Sequence, residues 1–586
     1  MSEYKRLELI DLPGADEIEV DLADPGGSTI HGTFRQTWNV SGRPRSIITY
    51  MPEDWHHNNR GIVVAAPADA DLLAYIPESG FQAFADKTKV LLAFIEAENG
   101  VWNTDGSDAD FFNAAYKKLL ARDAYVVMQD AVYAMGVGDG ATIAMQAVIK
   151  MSSEWSGLAT FGQLSESVFS EYLQKADADT GQTFNELFVS GKKAQMPVWM
   201  SVAEEDDVIS RLREYWKKEN KSQDTYVTDD RDTKIYLPRP LKKTRKNNDD
   251  NIAQVRITLK EDPQQTDAET LEYIWDYVGA ARRHRSYNVK VLRYFRDPLK
   301  TGASHHTLTV DGICREWYEY VPSCAKDSDT RLPLVVCMHG RGGNGETFYD
   351  ITDIALAAEE RHFIAVCPTA SIYQDHEGGF RGIRLWMGEY KGERINCMNF
   401  IRAMVKDVES RLPVDKARVY ACGQSSGGYM TGYCGLAASD IFTAVTPWSG
   451  YVTPIAKKAA ELKYYEDSYL EGGHVPVFLM FGDSDKFFGF NEPFTDPSIE
   501  TPLTEYIAFL RQEYGLEETP STYICYPVTY YEWHNPKGTP MLKIGVVDDM
   551  PHANYAEQTF ISYDEFMSKF TKDEQGNRYY MGRPAE

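Results

Sequence analysis

Short unbroken runs of apolar and β-branched residues recur along the chain: GIVVAAPA, VYAMGVG and PVWMSV in the first half, LVVCMHG, FIAVCP, RVYACG and VFLMFG in the second. Between them lie longer stretches whose apolar positions follow a helical period, such as NCMNFIRAMVKDVESRL over 396–412. Strands that read as continuous apolar runs are buried on both faces, and their alternation with amphipathic helices predicts a mainly parallel sheet covered by helices on both sides. The fold class expected is α/β.

The pattern repeats. SGRPRSIITYMP (41–52) pairs with DGICREWYEYVP (311–322), GIVVAAPA (61–68) with PLVVCMHG (333–340), VYAMGVGDGATI (132–143) with VYACGQSSGGYM (419–430), and MPVWMSVAEEDD (196–207) with VPVFLMFGDSDK (475–486), all in the same order. Two tandem copies of one fold are expected, residues 1–302 and 303–586, which suits a chain of 586 residues. Two segments fall outside the shared pattern and are expected to be insertions that build rims or lids: 208–285, charged, and 371–395, rich in Gly and aromatics.

Charge and cysteine usage narrow the function. A net charge of -26 argues against a nucleic-acid groove or an anionic membrane surface, both of which need clustered Lys and Arg. The one basic run, RPLKKTRKNNDDN (239–251), is followed at once by acids and reads as a solvated loop. No apolar run approaches the ~18 residues of a membrane span. The start, MSEYKRLELIDLPG, lacks a secretion pattern, so a cytoplasmic location is expected. The eight cysteines include no CxxC pair and are expected to be buried free thiols. His56/His57 and His305/His306 lack helical ligand spacing, and no metal or cofactor is expected.

The candidate chemistry lies in the second copy. Gly423-Gln424-Ser425-Ser426-Gly427 fits G-x-S-x-G between an apolar strand and a helix-compatible stretch, the setting in which a strained turn presents a serine Oγ at the edge of the sheet. Such a serine needs a histidine base, and the histidine a carboxylate to orient it. Asp485 after VFLMFG and His552 after MLKIGVVDDM supply both, in the order serine, acid, histidine; Asp483 and His534 are the competitors, His534 being read as a loop residue without a preceding strand. The oxyanion would be held by the N–H groups of Ser426 and Arg341, the latter in His339-Gly340-Arg341-Gly342-Gly343. Trp386 and Trp448 are candidate walls of the substrate pocket, with core packing as the competing role.

These stretches, from CREWYEYVP through LPLVVCMHGRGGNGETF and VYACGQSSGGYM to DMPHAN, resemble the poly(3-hydroxybutyrate) depolymerase and feruloyl esterase group of α/β-hydrolases over about residues 307–560. The resemblance implies that Ser425, Asp485 and His552 are a catalytic triad acting on a small or oligomeric ester of feruloyl, aryl or hydroxyalkanoate type. The chain departs from the group at Arg341, where many relatives carry cysteine. The missing secretion pattern points toward a soluble intracellular ester rather than an extracellular polymer.

Rival readings exist. Gly340–Gly345 and Gly136–Ala141 both fit a dinucleotide-binding glycine pattern, but FIAVCPTA ends without the acid that would hold a ribose. A peptidase or thioesterase would use the same triad. A scaffold is the third rival, and the first copy favours it for itself. Gly138 stands in place of the serine, Pro67-Ala68 in place of His-Gly, and Leu299 near the histidine position, with only Asp206 kept. The first copy is therefore expected to be non-catalytic, supporting, covering or dimerising with the second.

Overall fold

The computed structural model describes residues 4–14, 21–23, 30–53, 59–120, 127–170, 182–184, 187–189, 194–240, 252–286, 289–327, 330–373, 383–390, 392–452, 473–496, 498–554 and 557–586. Two ten-stranded mixed sheets dominate it. The first is built from β1 (Gly32–Val40), β2 (Arg43–Met51), β3 (Asn59–Ala65), β4 (Leu91–Ile95), β5 (Val127–Val137), β6 (Leu158–Phe161), β7 (Val198–Val202), β8 (Val227–Thr228), β9 (Lys234–Tyr236) and β10 (Val255–Leu259). After a hairpin of β11 (Ala281–Ser286) and β12 (Val289–Tyr294) comes the second sheet: β13 (Ser304–Val310), β14 (Ile313–Tyr320), β15 (Leu332–Met338), β16 (Ile364–Pro368), β17 (Val414–Gln424), β18 (Ala444–Trp448), β19 (Val477–Gly482), β20 (Ser521–Cys525), β21 (Val528–His534) and β22 (Pro540–Val547).

The spatial orders are β1-β2-β4-β3-β5-β6-β7-β10-β9-β8 and β13-β14-β16-β15-β17-β18-β19-β22-β21-β20. They coincide strand for strand, and so do the pairings: a parallel centre with an antiparallel pair at each end. The apolar runs supply the central strands, and in β4, β6, β7, β15, β16, β18 and β19 every residue is buried. Burial on both faces is why these runs do not alternate. Among the described residues, no helix is long and apolar enough to cross a membrane. None of the eight cysteines is in a disulfide; five are buried, Cys314 and Cys324 are partly exposed, and Cys525 is exposed.

The shared order corrects the reading of 208–285 as an insertion. This stretch contains most of helix α2 (Asp207–Glu219), then β8, β9, β10 and helix α3 (Ala268–Val278). These match α7 (Pro502–Tyr514), β20, β21, β22 and α8 (Gln558–Glu565) of the second half. Exposed charge on α2 and in the turn after β8 (Asp230, Arg231 and Asp232) hid the correspondence, since solvent-facing positions are free to diverge while the sheet order persists. The β11–β12 hairpin after α3 also has a counterpart, the antiparallel strands Phe570–Lys572 and Arg578–Tyr580 after α8: Tyr133 of β5 donates to Ala281 O of β11, and Tyr420 of the matching β17 donates to Phe570 O (2.7 Å). Successive residues of a strand point to opposite faces, and Arg282 and Arg283 of β11 use this to grip both halves. Arg283 donates to Trp155 O (2.8 Å), Ser152 O (2.9 Å) and Gln195 O (2.7 Å) of the first half. Arg282 pairs with buried Asp350, and Arg293 with Asp353 (2.7 Å), at the junction of helices α4 (Gly345–Ile351) and α5 (Ile354–Arg361).

Candidate active site

Strand β17 runs through Gln424 into helix α6 (Ser426–Ala437), and Ser425 between them has φ 56° and ψ -116°. Positive φ is uncommon outside glycine and costs about 1–3 kcal/mol, so surrounding contacts must hold it. Ser425 N–H donates to Trp448 O (2.8 Å), and Ser425 O accepts from Tyr429 N–H (2.9 Å). The flanking glycine is steric in origin: a Cβ on Gly427 would lie 2.1 Å from Met338 O, because α6 starts against the end of β15.

The acid and the base arrive from the next strands of the sheet. Beyond β19, the fully buried Asp485 places Oδ2 2.8 Å from His552 Nδ1 and accepts Phe487 N–H on Oδ1 (2.9 Å). The carboxylate therefore leaves Nε2 as the outward nitrogen of His552. Asp483, the competitor, is exposed. His534 is the last residue of β21, not a loop residue as expected, and faces Glu517 and Glu532 at 3.8 Å and 3.7 Å. Ser425 Oγ makes no hydrogen bond to His552 in this structure. The strand ends link the two: Ser425 N–H bonds Trp448 O, and Ser449 N–H bonds Met480 O of β19.

The loop after β15 borders the serine. A Cβ on Gly340 would lie 3.5 Å from Ser425 Cβ, which brings the expected oxyanion elements, the Arg341 loop and the first turn of α6 at Ser426, to the same end of the sheet. His339 has a role the sequence did not reveal. It is buried, its Nε2 accepts Ala370 N–H (2.9 Å), and its Nδ1–H donates to Gly340 O (2.7 Å). Burial pushes its pKa down to about 3, so the ring is a neutral brace between the loop and β16. Trp386 Nε1–H donates to His339 O (2.8 Å), while Trp448 is buried and donates to Ser562 Oγ (2.9 Å). Both rings are core, which corrects the pocket-wall expectation: each indole is enclosed around its hydrogen bond. The described parts of 371–395 form two short hairpins, at Ile372–Tyr373 with Ile383–Arg384 and at Glu389–Tyr390 with Glu393–Arg394, which carry Trp386.

As for metals, among the described residues Asp483, Asp548 and Asp549 are the one set of ligating side chains that gather, within 4.8 Å of one another. They are exposed, and no second feature marks a cation site.

The first half keeps the turn with a glycine in the serine's place. Gly138 has φ 60° and its N–H bonds Phe161 O (2.8 Å), as Ser425 bonds Trp448 O. The sheet register pairs Ala65 with Gly136 and Met338 with Gly423, so Ala66-Pro67, not Pro67-Ala68, stands at His339-Gly340. Trp102 Nε1–H donating to Ala66 O (2.9 Å) repeats the Trp386–His339 bond and supports that register. Leu299 is also corrected. It is exposed beyond the β11–β12 hairpin, whereas the counterpart of β22 is β10, which leads to Gln264 and Gln265. Gln264 Oε1 lies 3.6 Å from where a Gly138 Cβ would be. Asp206 caps α2 through Ile209 N–H (2.8 Å) and accepts from Gln163 (2.7 Å). His305 and His306 lie on β13, where His305 bonds Glu316 (2.9 Å) and His306 stacks on Trp317. His56 and His57 lie outside the described residues. Beside Pro67 and Trp102 a cavity of about 400 Å³ remains, with the Arg6–Asp71 and Arg35–Glu96 pairs among its lining.

Comparison with known proteins falls on the second half. Residues 317–463 match the family model of esterase PHB depolymerases. Feruloyl esterase B of Thermothelomyces thermophilus is 28% identical over 135 residues, which is 23% of this chain and 44% of that protein. Feruloyl esterase B of Neurospora crassa is 29% identical over 133 residues, 23% of this chain and 43% of that protein. The chain thus spans less than half the length of these relatives. Among solved structures, the acetyl xylan esterase from Aspergillus awamori aligns at 17% identity and a TM-score of 0.32, covering 45% of this chain and 99% of that one. The matched stretch contains the elbow of Ser425, so the likeness of this chain to esterase PHB depolymerases falls on the strand-turn-helix that presents that serine.

Proposed function

We propose that the second half, residues 303–586, is a serine carboxylic-ester hydrolase and that the first half, residues 1–302, is a non-catalytic copy. One observation carries the reading: the 2.8 Å hydrogen bond between buried Asp485 and partly exposed His552 stands at the same sheet end as Ser425 in its φ 56° turn. In this mechanism Ser425 Oγ attacks the ester carbonyl while His552 Nε2 takes its proton. Asp485 holds Nδ1–H and stabilises the imidazolium. The oxyanion is received by the N–H groups of Ser426 and Arg341, and α6 points the positive end of its dipole the same way. His552 then protonates the departing alkoxide, and water repeats the cycle on the acyl-enzyme. The ester class, feruloyl, aryl or hydroxyalkanoate, is part of the same proposal and rests on the family resemblance.

A thioesterase or peptidase would share this machinery, so the substrate panel must include thioesters and peptides. The dinucleotide reading loses support from the loop itself: Gly342 N–H is taken by Arg384 O (2.9 Å) and Gly343 N–H by Gly340 O (3.0 Å), where a phosphate cradle would need them. The eight cysteines, none of them in a disulfide, support placing the protein in the reducing cytoplasm, which cell fractionation would test.

Ser425→Ala decides the main reading. Turnover of short p-nitrophenyl esters should fall by several orders of magnitude, and a fluorophosphonate should label the parent stoichiometrically at Ser425. A variant as fast as the parent refutes the triad. A parent with neither turnover nor labelling favours a scaffold.

A further inference from the structure

Two phenyl rings stand in the open beside the proposed base. Phe487 and Phe488 follow the acid by two and three residues, are 55% and 43% exposed, and place their ring centroids 4.6 Å and 6.2 Å from that of His552. Exposed phenyl side chains forgo roughly 1.5–3 kcal/mol each that burial would give, so their position calls for an explanation.

The turn that presents them is also held against its preference. Phe488 has φ 58°, in the left-handed region that a bulky side chain disfavours. Two buried groups hold it there. Asp485 Oδ1 accepts Phe487 N–H (2.9 Å), so the carboxylate that orients His552 also fixes the rings. Tyr451, itself buried under Phe490 and Tyr506, donates its hydroxyl to Phe488 O (2.8 Å). Backbone strain maintained by buried partners, next to reacting groups, is the pattern of a built recognition surface rather than of an idle loop.

Chemistry assigns the surface to one side of the substrate. The oxyanion points to Ser426 and the Arg341 loop, while the leaving oxygen must come within hydrogen-bond reach of His552 Nε2 to receive its proton. Whatever borders the imidazole therefore borders the alcohol, not the acyl group. Resting on the ester-hydrolase reading above, we infer that Phe487 and Phe488 form the leaving-group subsite, and that the substrates favoured are esters of an alcohol carrying a flat apolar ring. Tyr451 is a positioning residue that acts through Phe488.

Acetate esters differing only in the alcohol test this with the full chain. Methoxide and benzyloxide have nearly equal basicity, so the ratio of kcat/KM for benzyl over methyl acetate reads binding at the alcohol side. The parent should favour benzyl acetate by about tenfold or more. Phe487→Ala/Phe488→Ala should cut that ratio by about tenfold. Tyr451→Phe, which keeps all the rings, should cut it about threefold, by raising KM for the benzyl ester more than for the methyl ester. Equal ratios in the parent and both variants overturn the inference while leaving the hydrolase reading intact. A parent that cleaves neither ester overturns both. If the double variant does not fold, inhibition of the parent decides: benzyl alcohol competing at least tenfold more tightly than methanol supports the subsite, and equal inhibition overturns it.

Discussion

His339 shows how one residue's surroundings set its role. In sequence it looked like part of an oxyanion loop; in the structure it is a neutral ring whose two nitrogens tie Gly340 to Ala370. The unfolded imidazole titrates near 6.5 and the buried one at about 3, so between those values the unfolded chain binds a proton that the folded one refuses. The stability His339 confers is complete above pH 6.5 and is lost as the pH falls toward 3, by up to about 1.4 kcal/mol per pH unit. Urea unfolding at pH 7, 6 and 5 should show a steeper acid loss in the parent than in His339→Gln. At this scale the strand-end positions of Ser425, Asp485 and His552 were legible because G-x-S-x-G and the residues beyond strand ends have fixed places in such a sheet. The core roles of Trp386 and Trp448 were not, since an aromatic residue looks the same in sequence whether its ring lines a pocket or fills a core.

The elbow is the element on which both halves turn. Gly138 and Ser425 share a positive φ, a main-chain hydrogen bond across to the next strand, and a following helix that touches the strand before. Restoring the nucleophile should not restore the activity. In a Ser425→Ala background, Gly138→Ser should leave hydrolysis of p-nitrophenyl acetate at background, because Gln264 and Gln265 offer no imidazole and Asp206 is engaged by α2 and Gln163. Turnover in that double variant would overturn the reading of the first half. The one-residue slip between Pro67-Ala68 and the observed Ala66-Pro67 has a simple cause: GIVVAAPA and PLVVCMHG contain no residue that marks register, whereas the hydrogen-bonded ladder of β3 with β5 fixes it.

Across the whole molecule, the β11–β12 hairpin ties the copies together through buried arginines. Asp350, fully buried, accepts from Arg282 and from Arg296 N–H (2.8 Å). Removing one partner of a buried pair leaves an uncompensated charge, so Asp350→Ala should cost about 3–5 kcal/mol, read as a lower urea midpoint, with the second half affected first. The sequence alone determined the duplication, the α/β class and the strand-turn-helix that presents Ser425, because these rest on local features: the length of apolar runs, their alternation with helical spacing, and the glycines a tight turn demands. Only the tertiary structure decided that 208–285 completes the first sheet, that the first half's histidine position is held by glutamines rather than Leu299, and that two phenylalanines face His552. Each of these depends on which distant strand ends the sheet brings side by side, and that neighbourhood is set by long-range pairing that no local pattern encodes.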